Sequence, residues 1–141
     1  MDDRVTWGLI GLGRFGAIHA EVLAQLPDCR LIAVCGRNVA RLAEAEARWP
    51  GVLTTTDYRR LLDDPAIQAV SIVAHVKDHY HLALEALAAG KHVLLEKPLA
   101  ATVEQCHEIV AAAKAAAGRF MVGHVCRFDP RVALAFEAIR A

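Results

Sequence analysis

Two stretches of this chain have residue types and spacing that could do chemistry: Gly11-x-Gly13-x-x-Gly16 and Glu96-Lys97-Pro98. The glycines follow the apolar run Val5 to Ile10 and lead into a helix-like segment. In that setting they are expected to bind a dinucleotide. Gly11 allows a tight strand-to-helix turn, Gly13 lets backbone approach a pyrophosphate, and Gly16 lets the helix pack against the strand. The helix start adds unpaired N–H groups and a partial positive charge. Leu12, Arg14 and Phe15 complete the loop. The second stretch suits proton handling. The Lys97 ammonium can stabilise a developing alkoxide, and desolvation can bring its pKa toward neutrality. Glu96 is placed to orient Lys97.

These groups need a scaffold, and the chain alternates short apolar runs with helical segments. Strands are expected at 5–10, 30–35, 52–54, 69–74, 92–95 and 120–123, and helices at 14–26, 38–48, 79–89 and 102–117. Asp57 can cap a short helix through Leu62. Asn38 and Thr102 are candidate N-caps, and Gly90 suits a helix C-terminus. Continuous apolar strands imply burial on both faces and therefore a parallel sheet covered by helices. The expected fold is α/β: a six-stranded doubly wound sheet, order 3-2-1-4-5-6. Lys97 then falls at the carboxyl end of strand five, where such sheets bind ligands.

Composition narrows the class. The 141 residues fit one domain, 55% are hydrophobic, and 16 acidic residues balance 16 basic ones. No basic stripe suits a nucleic acid, and no apolar run reaches the ~18 residues of a membrane span. Asp2 and Asp3 do not open a signal peptide, so a cytoplasmic location is expected. Cys29, Cys35, Cys106 and Cys126 contain no Cys-x-x-Cys pair and read as reduced thiols, with Cys35 and Cys126 in strand-like runs. Seven histidines occur, but His75, His79 and His81 have no partner at ligand spacing, so no metal is expected. Trp7 and Trp49 read as packing residues, and His92 as a sheet-end residue.

Cofactor choice rests on the end of strand two. An acid about 20 residues past the glycines would bind a ribose 2′-OH, as in NAD enzymes. Here the stretch reads Gly36-Arg37-Asn38, with no acid between Asp28 and Glu44. Arg37 can meet a 2′-phosphate, which favours NADP, with NAD as the alternative.

The stretch from Ala86 through Gly90-Lys91-His92-Val93 to Glu96-Lys97-Pro98 is a more specific signature than the glycines. Together with Gly-Leu-Gly-Arg-Phe-Gly and with Met121-Val122-Gly123-His124 before Arg127-Phe128-Asp129-Pro130, it resembles the cofactor domain of the glucose–fructose oxidoreductase/inositol dehydrogenase (Gfo/Idh/MocA) family. The resemblance implies NAD(P)-dependent oxidation or reduction of a sugar, cyclitol or related polyol. It places the glycine loop on the pyrophosphate and Glu96-Lys97 beside the nicotinamide, with Lys97 reaching the substrate oxygen. It also suggests a cis Lys97–Pro98 bond and matches His79 to a histidine opening the helix after strand four, where His79 could equally cap or pack.

One departure is Ala74-His75 where the family has Thr-Pro, in a loop expected beside the cofactor. The other is the lack of the Asp-x-x-x-His element that the family's second domain supplies. The expected spans are a Rossmann domain over 1–126 and a lead into a missing second domain over 127–141. A nonenzymatic nucleotide-binding module or partner subunit is the alternative. Val132, Leu134, Phe136 and Ile139 suggest that the last helix packs back on the sheet, becomes disordered or pairs with another copy, making a homo-oligomer possible.

Overall fold

The computed structural model describes residues 3–140. The ends of the two expected spans, at residues 1–2 and 141, lie outside the described residues. Six parallel strands form one sheet in the order β3-β2-β1-β4-β5-β6. They are β1 (Val5–Ile10), β2 (Cys29–Cys35), β3 (Leu53–Thr55), β4 (Ala69–Ile72), β5 (His92–Leu95) and β6 (Phe120–Val122). The helices are α1 (Arg14–Gln25), α2 (Val39–Arg48), α3 (Arg59–Leu62), α4 (Val76–Ala88), α5 (Val103–Ala115) and α6 (Pro130–Arg140), with a 3-10 turn at Val125–Phe128. The expected strand order is the observed one.

Alternation along the strands explains the two-sided core. Leu9 and Val34 pack with Leu12, Ala20, Leu23 and Leu42 on one face. Ile10, Ala33, Ile72 and Leu95 pack with Leu61, Ala83 and Ile109 on the other. Trp7 and Trp49 pack against the first of these clusters, as expected. Ile72 is fully buried at the centre of the second. Ile72→Ala is expected to lower unfolding free energy by about 2–5 kcal/mol in urea titration.

Local signals set most of the ends. Asn38 Oδ1 accepts from Arg41 N–H at 3.2 Å and Thr102 Oγ1 from Gln105 N–H at 3.3 Å. Gly90 has φ +73°, which suits the residue that follows α4. Asp57 Oδ1 accepts from Arg59 N–H at 3.0 Å, but the α3 N-cap is Tyr58, one residue later than expected. His92 sits at the start of β5, where its Nδ1 accepts from Arg119 N–H at 2.8 Å.

Two expectations are corrected. The fourth helix begins at Val76, not His79, because His75 provides the cap. Cys126 is exposed in the 3-10 turn rather than in a strand. The four cysteines are free thiols. Helix α6 does not bury its apolar residues on the sheet: Phe136 is 59% and Ile139 85% exposed. No helix among the described residues is long and apolar enough to cross a membrane.

Candidate functional site

All strands are parallel, so their carboxyl ends share one edge. Along that edge stand four elements in spatial order. Gly36-Arg37-Asn38 follows β2, the glycine loop follows β1, Ala74-His75 follows β4 and Glu96-Lys97 follows β5. Three inter-strand spacings of about 4.8 Å separate the first from the last. The sequence therefore delivers a linear row of groups suited to an extended ligand, at the point where the strand order reverses.

The glycine loop is shaped by close backbone approach. Gly11 has φ +105°, and a Cβ there would meet Val73 O at 2.2 Å. A Cβ on Gly16 would meet Gly11 O at 1.9 Å. Gly13 differs, because nothing lies within 4 Å of its Cβ position. The open space in front of Gly13 is where a phosphate can approach. Gly13 is also the α1 N-cap and makes no side-chain cap, so the helix N–H groups stay available to an anion.

A cleft of about 790 Å³ opens along the first three of these elements and stops short of Glu96-Lys97. Its walls include Gly11, Leu12 and Gly13, then Gly36, Arg37 and Asn38. Ala74 and His75 form the opposite wall, with His75 Nδ1 capping α4 by accepting from Lys77 N–H. Arg41, Tyr58 and Asp78, which were not singled out from sequence, also line it, as does His81, named there only as a histidine without a metal partner. Arg41 lies one helical turn beyond Asn38, a spacing that could have shown it. Its guanidinium donates to Leu12 O at 3.3 Å, tying α2 to the glycine loop. The Tyr58 hydroxyl donates to Glu85 Oε1 at 2.9 Å, which anchors the ring. Cys35 is in the cleft floor, where burial pushes its thiol up to about 11, with Asp57 adding to the effect. It is a neutral thiol at pH 7 and no nucleophile.

Arg14, Phe15, Gly16, His79, Glu96 and Lys97 are outside this lining. Arg14 faces a neighbouring groove of about 510 Å³ between α1 and α2. Phe15 is 44% exposed and meets the His19 ring edge-on at 5.1 Å. His79 is only 1% exposed, with Nδ1 2.8 Å from Pro98 O and Nε2 3.1 Å from Ala74 O. It joins the two loops from behind.

The Lys97–Pro98 bond is cis, as the resemblance suggested. Lys97 is exposed and Glu96 is buried. Glu96 Oε2 accepts from Lys97 N–H at 3.1 Å, and Oε1 lies 3.3 Å from His19 Nε2. That ring contact is within ion-pair range but misaligned, so Oε1 has no hydrogen-bond partner. His19 Nδ1 lies 2.8 Å from Ser71 Oγ. Sequence reading missed His19, although its position one helical turn beyond Phe15 was a signal.

The oxidoreductase family with an NAD-binding Rossmann fold, Gfo/Idh/MocA, has a model that matches residues 5–124. The chain belongs to this oxidoreductase family. It is 37% identical over 131 residues to an inositol 2-dehydrogenase of Acidothermus cellulolyticus, covering 92% of this chain and 38% of that protein. It is 33% identical over 143 residues to a scyllo-inositol 2-dehydrogenase (NAD(+)) of Bacillus subtilis, covering 100% of this chain and 42% of that protein. Among solved structures, apo scyllo-inositol dehydrogenase from Lactobacillus casei superposes with a TM-score of 0.92 at 28% identity, over 99% of this chain and 42% of that one. The chain thus spans about two-fifths of the length of these relatives. The matching family is one with an NAD-binding Rossmann fold. The open space at Gly13 and the uncapped α1 N-terminus fit a dinucleotide's pyrophosphate.

Proposed function

We propose that this chain is the cofactor domain of an NAD(P)-dependent oxidoreductase that acts on a sugar, cyclitol or related polyol and prefers NADP. One observation carries the reading: the phosphate cradle and Glu96-Lys97 stand on the same edge of one sheet, separated only by β4. The inositol dehydrogenases among the relatives support the substrate class, and their being enzymes disfavours a nonenzymatic module. In this assignment residues 1–126 bind the cofactor and 127–141 lead toward the part that holds substrate.

The bound dinucleotide supplies hydride exchange. The chain's residues orient it and handle the proton. Gly11, Gly13 and Gly16 admit the pyrophosphate against the α1 N-terminus, with Leu12 beneath it. Lys97 Nζ holds or moves the proton at the reacting hydroxyl, stabilising negative charge on that oxygen. Glu96 fixes the backbone from which Lys97 projects. Ala74 and His75 border the cofactor from the β4 side.

Arg37 and Arg41 both line the cleft, and no carboxylate follows β2 there. Two guanidinium groups suit a 2′-phosphate. Fluorescence titration is expected to show tighter binding of NADPH than of NADH. Arg37→Ala should weaken NADPH about tenfold, near 1.4 kcal/mol, and leave NADH nearly unchanged. Tighter NADH binding by the parent chain would refute the NADP assignment.

A further inference from the structure

Glu96 is held from two directions, and only one belongs to its own loop. Oε2 faces Lys97 N–H, while Oε1 is buried against α1 and the residue after β6. At Gly123 a Cβ would stand 2.7 Å from Oε1, so the absent side chain makes room for the carboxylate. The group facing Oε1 from α1 is the His19 imidazole, at 3.3 Å.

The other face of that imidazole sets its orientation. Ser71 is fully buried in β4, and its hydroxyl lies 2.8 Å from Nδ1. When Nδ1 accepts the Ser71 hydroxyl proton, Nε2 is the nitrogen that faces the carboxylate, in a 3.3 Å electrostatic contact without hydrogen-bond alignment. The row Ser71–His19–Glu96 has the residue types of a nucleophilic triad. Zero exposure of Ser71 removes that role, since no substrate can reach its hydroxyl. What remains is a brace that runs from the sheet interior to the Lys97 backbone.

We infer that His19 is a positioning residue that, oriented by Ser71, holds the Glu96 carboxylate on the Lys97 amide and so places the Lys97 side chain at the carboxyl end of β5. The kinetic part of this inference rests on the reading of Lys97 as the proton-handling group. The geometric part does not.

Two measurements separate them. In 15N-labelled protein without cofactor, His19→Ala should move the Lys97 amide resonance, and His19→Gln, which keeps an N–H donor, should return it toward the parent position. Gly123→Ala should move the same resonance without touching His19. In a protein with the family's substrate domain in place, His19→Ala should lower kcat roughly 10–10²-fold, the cost of a small misplacement, while dinucleotide Kd stays near the parent value. His19→Gln should recover most of that loss. A Lys97 amide that is unmoved in both His19→Ala and Gly123→Ala overturns the inference. So does an unchanged kcat in His19→Ala when Lys97→Ala is strongly impaired. If Lys97→Ala itself leaves kcat intact while the amide still moves, the Lys97 assignment fails and the brace stands. Circular dichroism on each variant checks that it folds, and Gly123→Ala provides the test if His19→Ala does not.

Discussion

Lys97→Ala, with the substrate domain of the family in place, is expected to lower kcat roughly 10²–10⁴-fold, the range for loss of a positioned acid–base group. Dinucleotide affinity should change far less, because the proposed pyrophosphate cradle follows β1, two strands away from β5, and is built of backbone. The pattern matters more than the size. An interaction made only in the transition state lowers kcat and kcat/KM together, whereas lost ground-state binding raises KM alone. Stopped-flow hydride transfer and fluorescence titration on the same variant distinguish the two. A variant that loses cofactor binding and keeps kcat would place Lys97 among binding residues and end its role in proton handling.

The glycine loop offers a sharper contrast, since its three glycines serve different ends. Gly16→Ala drives a Cβ to 1.9 Å from Gly11 O, a backbone atom that cannot move without opening the turn. The expected cost is at least about 3 kcal/mol, at the severe end of overpacking. Gly13→Ala meets nothing within 4 Å and keeps an ordinary φ of −79°. Its stability should be unchanged or higher by up to about 1 kcal/mol, because alanine restricts the unfolded chain. Its dinucleotide Kd should rise roughly 10²-fold, about 2.7 kcal/mol, because the methyl occupies the approach of the pyrophosphate. Urea unfolding paired with cofactor titration reads both effects. A Gly13→Ala protein that unfolds easily, or that binds as tightly as the parent, would contradict the cradle.

The elements that were legible in sequence are those coded by neighbours in the chain. The apolar runs, the Asn38 and Thr102 caps and Gly90 are local signals, and the strands and most helix ends follow from them. The start of α4 was not legible, because histidine is a weak cap by residue type and the apolar period begins only after it. The residues at 125–128 look like strand by apolarity but turn because the sheet has already ended at Val122. In the site, the glycines and Glu96-Lys97 could be read because their spacing is short. His19 could not be read with its partners, since Ser71 is 52 residues away and only the β1–α1–β4 arrangement joins them. The cleft walls at Tyr58 and His81 are likewise products of packing.

The buried ring of His79 is limited in what it can give the two loops it touches. Carbonyl oxygens face both of its nitrogens, one from Pro98 and one from Ala74. A neutral imidazole carries one N–H, and a carbonyl can only accept. A ring with a single N–H hydrogen-bonds one of these two carbonyls at a time, and its contact with the other is packing.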